Sequence, residues 1–192
     1  MSVRSEQTEA PLAVKVVVAG GFGVGKTTFV GALSEIEPLQ TEAAMTERGA
    51  SVDDRGHVTT KTTTTVAMDF GRITVDDYLV LYLFGTPGQD RFGFMWDDIV
   101  QGALGAVVLV DTQRIDQSFA AIDYFESRGV PFSVGVNLFD GERLHPLDDV
   151  RAALDLDPDI PMVELDARHR VSAKRALLAL LTRLAERAHA SA

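Results

Sequence analysis

Apolar and polar positions along the chain fall into six strand-like runs joined by helical stretches. Ala13–Ala19 reads AVKVVVA, a β-branched run ending in glycines, which is the pattern of a buried strand. Thr62–Phe70 alternates, with Val66, Met68 and Phe70 on one face and Thr65, Ala67 and Asp69 on the other, as a half-buried strand requires. Asp76-Asp77 marks a hairpin turn into Tyr78–Phe84, a run apolar on both faces. Three further strands are predicted at Ala106–Asp111, Phe132–Asn137 and Met162–Leu165. Helical spacing covers Lys26–Leu33, Phe92–Gln101, Gln117–Ser127, Leu147–Leu154 and Val171–Ala190. In the last of these, Leu177, Leu181, Leu184 and Ala188 recur on one helical face. Glu35–Lys61 has weak periodicity and many charges, and reads as a long mobile connection. Residues 1–12 form a polar tail, and residues 13–190 a single domain. Strand–helix alternation of this kind gives a mostly parallel sheet covered on both sides, with ligands at the carboxyl ends of the strands.

Composition narrows the function. With 192 residues, 46% of them hydrophobic and 24% charged, the chain has an ordinary globular make-up. A net charge of −10 disfavours broad binding to nucleic acid or to an anionic membrane, both of which need a basic face. The absence of cysteine excludes disulfides, thiolate metal sites and cysteine nucleophiles. The four histidines are scattered and show no metal-ligand spacing. No apolar run reaches the length of a membrane span, and neither a secretion signal nor a lipidation motif is present, so a cytoplasmic protein is expected.

The strongest chemical signal is Gly20-Gly21-Phe22-Gly23-Val24-Gly25-Lys26-Thr27, which matches G-x-x-x-x-G-K-[ST] between a predicted strand and a predicted helix. Its glycines allow successive N–H groups to converge on an anion, and the following helix adds the positive end of its dipole. Lys26 is placed to reach β- and γ-phosphates, and the Thr27 hydroxyl to ligate Mg²⁺. Thr28 continues the phosphate-binding segment. The bland alternative is a glycine-rich turn with a solvated lysine. Phe22 places a bulky side chain beside the γ-phosphate path.

Three later segments follow in a familiar order: Phe84-Gly-Thr-Pro-Gly-Gln-Asp-Arg-Phe92, Asn137-Leu-Phe-Asp140 and Asp166-Ala-Arg168. With the phosphate loop they resemble the Ras/Rab-like small GTPase superfamily over nearly the whole chain. The wording is most similar to conservon-type bacterial GTPases, related to the Mgl-type gliding-motility GTPases. The resemblance implies a P-loop NTPase three-layer α/β fold. Its sheet would be mostly parallel and six-stranded, with helices on both faces and one antiparallel edge strand. It further implies GTP/GDP cycling with Mg²⁺, a roadblock-type regulatory partner and a sensor-kinase-like component, with membrane association only through partners.

Guanine also has a physical argument. Its N1–H and N2–H donors can be accepted together by one carboxylate, whereas adenine would leave that carboxylate facing an acceptor. Asp140 is the candidate. Asn137 would brace the loop and contact the purine, and the Ala167 N–H would meet the guanine carbonyl. An isolated N-x-x-D is otherwise an Asx-type turn. The family usually carries Lys where this chain has Leu138, which supplies packing without an ammonium; Phe139 and Arg168 would cover the base instead.

The second departure is Gly85, where most small GTPases have an Asp that holds a water on Mg²⁺. Weaker Mg²⁺ coupling and slow intrinsic hydrolysis are expected from its loss. The resemblance makes Gly88 a γ-phosphate contact and Gln89 the residue that orients the attacking water. Asp111 reads as structural. Thr65 is the candidate to close on Mg²⁺ and γ-phosphate, with Thr62, Thr63 and Thr64 offering the same hydroxyl. Arg48, Arg55 and Arg91 are candidates for an arginine finger in cis. Phe92, Met95, Trp96 and Ile99 recur at helical spacing, as core or as a switch-dependent partner surface. The leading reading is a regulatory GTPase that switches in Glu35–Lys61 and Gly85–Gly93. A nucleotide-binding module with little turnover and a P-loop ATPase or small-molecule kinase are the alternatives.

Overall fold

The structure is a computed structural model that describes residues 10–37, 39–46, 63–87 and 95–190. Seven strands form one sheet: β1 (Leu12–Gly20), β2 (Leu39–Thr46), β3 (Thr63–Thr74), β4 (Leu79–Gly85), β5 (Ala103–Val110), β6 (Phe132–Asn137) and β7 (Met162–Leu165). Their spatial order is β2-β3-β4-β1-β5-β6-β7. The five strands from β4 to β7 across the sheet are parallel, whereas β3 runs antiparallel to both β2 and β4. The mostly parallel sheet of six predicted strands is therefore present, and β2 extends it. Part of the Glu35–Lys61 segment expected to be a connection is thus a strand, and it covers the edge that β3 would otherwise expose. Pairing with β3 supplies the ladder that this segment's weak pattern does not announce.

Alternation along β1 explains the two faces. Val16 and Val18 point to one side, with α1 (Lys26–Leu33) and α5 (Arg170–Ala190). Val17 and Ala19 point to the other, with α2 (Trp96–Val100), α3 (Phe119–Ser127) and α4 (Leu147–Ala153). All four are fully buried, as a central parallel strand demands. The face of α5 is rotated from the expected stripe. Ala173, Ala176, Leu177 and Leu180 are buried, Leu181 and Leu184 pack at the margin, and Ala188 is exposed. Ala176 lets the helix approach β6 closely, its carbonyl accepting from Ser133 Oγ at 2.9 Å, which a stripe drawn through the leucines alone does not capture.

The β3–β4 hairpin turns through Asp76, whose Oδ1 accepts the Tyr78 N–H at 2.8 Å, an Asx-type turn. Among the described residues no helix is long and apolar enough to cross a membrane.

Candidate functional site

β1 ends at Gly20 and α1 begins at Lys26, so the loop between them sits at the carboxyl end of the central strand. Two of its glycines are dictated by geometry. A Cβ on Gly20 would lie 2.4 Å from the Leu109 carbonyl oxygen, where β1 runs beside β5. Gly25 has φ 103°, and a Cβ there would meet Asn137 Nδ2 at 2.8 Å. The loop is therefore seated against the end of β6 as well as β5.

Lys26 lies almost buried within this loop, and its Nζ donates to the carbonyls of Gly20 at 2.8 Å and Gly21 at 2.7 Å. Burial lowers its pKa from 10.5 to about 8, and the neighbouring Asp69 carboxylate partly opposes the shift. Beside it, Thr27 Oγ1 donates to Asp69 Oδ2 at 2.7 Å. A hydroxyl and a carboxylate are the hard oxygen donors that Mg²⁺ takes, alongside water and phosphate oxygens. Among the described residues no three His, Asp or Glu side chains gather into a metal-binding group. A cation here would thus draw most of its ligands from nucleotide and solvent.

The second half of the site is built from the ends of β6 and β7. Asn137 is buried and joins three elements: its Nδ2 donates to Val24 O at 2.9 Å, and its Oδ1 accepts the Ala167 N–H at 3.0 Å. The Ala167 N–H, expected to face a base carbonyl, is thus already paired, because a buried amide takes the nearest acceptor. Leu138 packs against the core, whereas Phe139 is exposed.

Asp140 follows at φ 58°, in the left-handed region that Asp tolerates better than most residues. Its carboxylate is 88% exposed and accepts from Arg168 Nη1 at 3.2 Å. Arg168 also forks onto Asp166, through Nε at 2.9 Å and Nη2 at 2.7 Å. These hydrogen bonds hold the Asp166 carboxyl well below the usual carboxylate range. One cleft is lined by Gly23, Gly25 and Thr28 of the loop together with Asn137, Asp140, Asp166, Ala167 and Arg168.

A phosphate loop and a distant Asn–Asp loop sharing one cleft at the carboxyl ends of parallel strands is the arrangement of a P-loop nucleotide-binding protein. The profile of the family described as "conserved hypothetical ATP binding protein" matches residues 18–187. The chain belongs to that family. It is also 33% identical over 129 residues to an uncharacterized protein of Methanocaldococcus jannaschii, covering 66% of this chain and 71% of the relative. In fold it is similar to the FeoB G-domain from Methanococcus jannaschii, with a TM-score of 0.58 at 14% identity. That match covers 90% of this chain and 97% of the other. This family member therefore has the α/β P-loop NTPase fold, and its G-domain likeness is one of architecture.

Several residues in this family member stand apart from the sequence reading. In the sequence pattern Asp69 is only the polar side of an alternating strand, and nothing in its own segment signals contact with Thr27. Arg114 is a second such residue. It sits in the 3₁₀ segment Thr112–Ser118, donates from Nε to Asp111 Oδ2 at 2.9 Å and from Nη1 to Phe22 O at 3.1 Å, and so braces the loop from outside. The Asp–x–x–Arg spacing was the available signal. Asp111 anchors that segment by also accepting the Gln113 N–H at 2.9 Å. The Phe22 side chain is 63% exposed, so its bulk points into solvent. Met95 and Ile99 are core residues, and Trp96 packs edge-on against Tyr124 with centroids 5.0 Å apart. Thr65 lies in β3 opposite Ala44 of β2. Its side chain, and the residues Gly88, Gln89, Arg91, Phe92, Arg48 and Arg55, lie outside the described parts of the structure.

Proposed function

We propose that this protein is a guanine-nucleotide switch that binds GDP and GTP with Mg²⁺ and hydrolyses GTP slowly, with help from a partner. The observation that carries the reading is the Asn137–Asp140 loop. Asn137 ties it rigidly to the phosphate loop through Val24, and this leaves the Asp140 carboxylate presented at the cleft, where it can accept two donors from one base edge. Arg168 competes for that carboxylate and lies where it would flank a bound purine.

The chain's own groups divide the work. Amides of the Gly20–Gly25 loop and the start of α1 hold the phosphates, and the Lys26 ammonium turns from loop carbonyls to phosphate oxygens. Bound Mg²⁺ would offset charge on the β- and γ-oxygens, held by the Thr27 hydroxyl and, in the closed state, Thr65. Gln89 orients the attacking water, and Gly88 contacts the γ-phosphate. The small-GTPase resemblance further supports a roadblock-type regulatory partner and action in the cytoplasm.

Adenine is the second reading, favoured by the description of the family itself. Release and identification of the copurifying nucleotide separates the two, supported by displacement of fluorescent GDP with unlabelled GTP, GDP or ATP. Guanine nucleotides in the released fraction and indifference to ATP are expected. Asp140→Ala should narrow the preference for GDP over ADP by about 10- to 100-fold, the worth of a hydrogen bond to a charged group. An undiminished preference would remove Asp140 from the role, and efficient displacement by ATP would overturn the guanine reading.

A further inference from the structure

A guanidinium seated on a carboxylate changes what that carboxylate can reject. Arg168 Nη1 donates to Asp140 Oδ1 at 3.2 Å, and both residues line the cleft that the phosphate loop shares. An exposed ion pair is ordinarily worth little, because two side chains must be held in one geometry while water competes for both. Here the guanidinium is held independently. Its Nε and Nη2 fork onto Asp166 at 2.9 and 2.7 Å, and the Arg168 backbone N–H donates to the same carboxylate at 2.9 Å. Asp166 is itself fixed, with its side chain only 14% exposed and its N–H donating to Ser172 Oγ at 2.9 Å. Asp166 therefore sets where Nη1 points, and the contact with Asp140 orders only one further side chain.

That contact bears on base choice. A purine in the cleft would exclude water from the Asp140 carboxylate, so the donors left to it decide the energetics. Guanine brings N1–H and N2–H, and the base itself meets both oxygens. Adenine brings a lone pair at N1 and no donor beside it, which leaves a bare carboxylate unpaired and the base rejected. With Arg168 in place the carboxylate keeps one charged donor whichever base is present, and the penalty on adenine falls. The two guanine donors, by contrast, must share Oδ1 with Nη1. The effect on the two bases is therefore unequal, and it narrows the difference between them.

We propose that Arg168 is a specificity-determining residue that keeps Asp140 partnered whichever purine is bound, and so lowers the discrimination against adenine nucleotides that the carboxylate alone would give. This rests on the guanine reading above. The wild type still favours GDP, because only guanine supplies two donors of its own.

Competition against fluorescent GDP gives the ratio of ADP to GDP dissociation constants for the full chain. The diphosphate is common to both ligands and cancels, so the ratio reports the base. Arg168→Met keeps the length of the stem and removes every donor. It should widen the ratio by about tenfold, the lower end for a hydrogen bond to a charged group, chiefly through weaker ADP binding. Arg168→Gln keeps an uncharged N–H₂ and should fall between; it carries the test with the same sign should Arg168→Met not fold, as judged by circular dichroism. Combined with Asp140→Ala, Arg168→Met should leave the ratio where Asp140→Ala alone puts it, because the effect passes through that carboxylate. An equal widening in that background would mean that Arg168 acts on the base directly, and overturns the proposal. A ratio unchanged or narrowed by Arg168→Met overturns it as well, and leaves the guanine reading standing as long as Asp140→Ala narrows the ratio. A wild type that prefers ADP, or a ratio that Asp140→Ala does not move, removes the guanine reading and this inference with it.

Discussion

Lys26 carries an energetic cost that a bound anion would relieve. Its ammonium is packed against two loop carbonyls, and burial brings its pKa down to about 8 from 10.5. At neutral pH this amounts to about 3 kcal/mol held against the fold. A di- or triphosphate would raise the pKa again, so binding takes up a proton once the solution pH exceeds 8. Linkage then fixes the sign: affinity is greatest below pH 8 and falls as pH rises through it, by up to about tenfold per unit. Arginine stays charged throughout this range, so Lys26→Arg should bind more weakly yet lose this slope. Titration calorimetry with GDP from pH 7 to 9.5 compares the two directly. Parallel slopes for wild type and variant would mean that Lys26 does not carry the linkage.

At the scale of elements, the sheet and α5 are held together by a line of small residues. A Cβ on Gly135 of β6 would lie 2.6 Å from Leu165 Cδ2 and 3.1 Å from Leu109 Cδ2, with Ala176 Cβ at 3.5 Å. Gly135→Ala should therefore destabilise the fold by about 1–3 kcal/mol, an overpacking penalty read from the urea midpoint. No change would mean that the two leucines repack freely. The same elements show what the sequence conveyed. β1, β5 and β6 announced themselves because strands buried on both faces are continuous apolar runs, and the phosphate loop because its glycines are forced by contacts with fixed backbone. β2 was hidden, since its ladder comes from β3 and not from its own pattern. Asp69 was hidden for a related reason. Its partner Thr27 is reached through the β3–β4 register and the vacancy at Gly85, neither of which is a property of the segment TTTVAMDF. Asp140 and Asn137 were legible as a spaced pair. The Arg168 bridge to both Asp140 and Asp166 was not, because it depends on where β6 and β7 end relative to each other.

Across the whole molecule, the groups that would sense a nucleotide lie along one edge, at the carboxyl ends of β1, β4, β6 and β7, and α2 is the next helix in the chain after β4. The only tryptophan of the chain, Trp96, is the first residue of α2. It lies against Tyr124 and Phe125 of α3, with centroids 5.0 and 6.2 Å away, and its Nε1 is buried with no hydrogen-bond partner among the described residues. An indole held this way has no internal hydrogen bond anchoring it. Displacement by the segment between Gly85 and α2 would give Nε1 access to water, which offsets part of the ring packing it loses. If GTP and GDP set that segment differently, as the switch reading requires, intrinsic emission should differ between the two nucleotide-bound forms. Lys26→Ala should abolish the difference, and Trp96→Phe the signal itself. Identical Trp96 spectra with GDP and with a non-hydrolysable GTP analogue, in protein shown to bind both, would confine any rearrangement to the near side of α2. A partner would then have to read the nucleotide from the Gly85–Gly93 and Glu35–Lys61 segments alone.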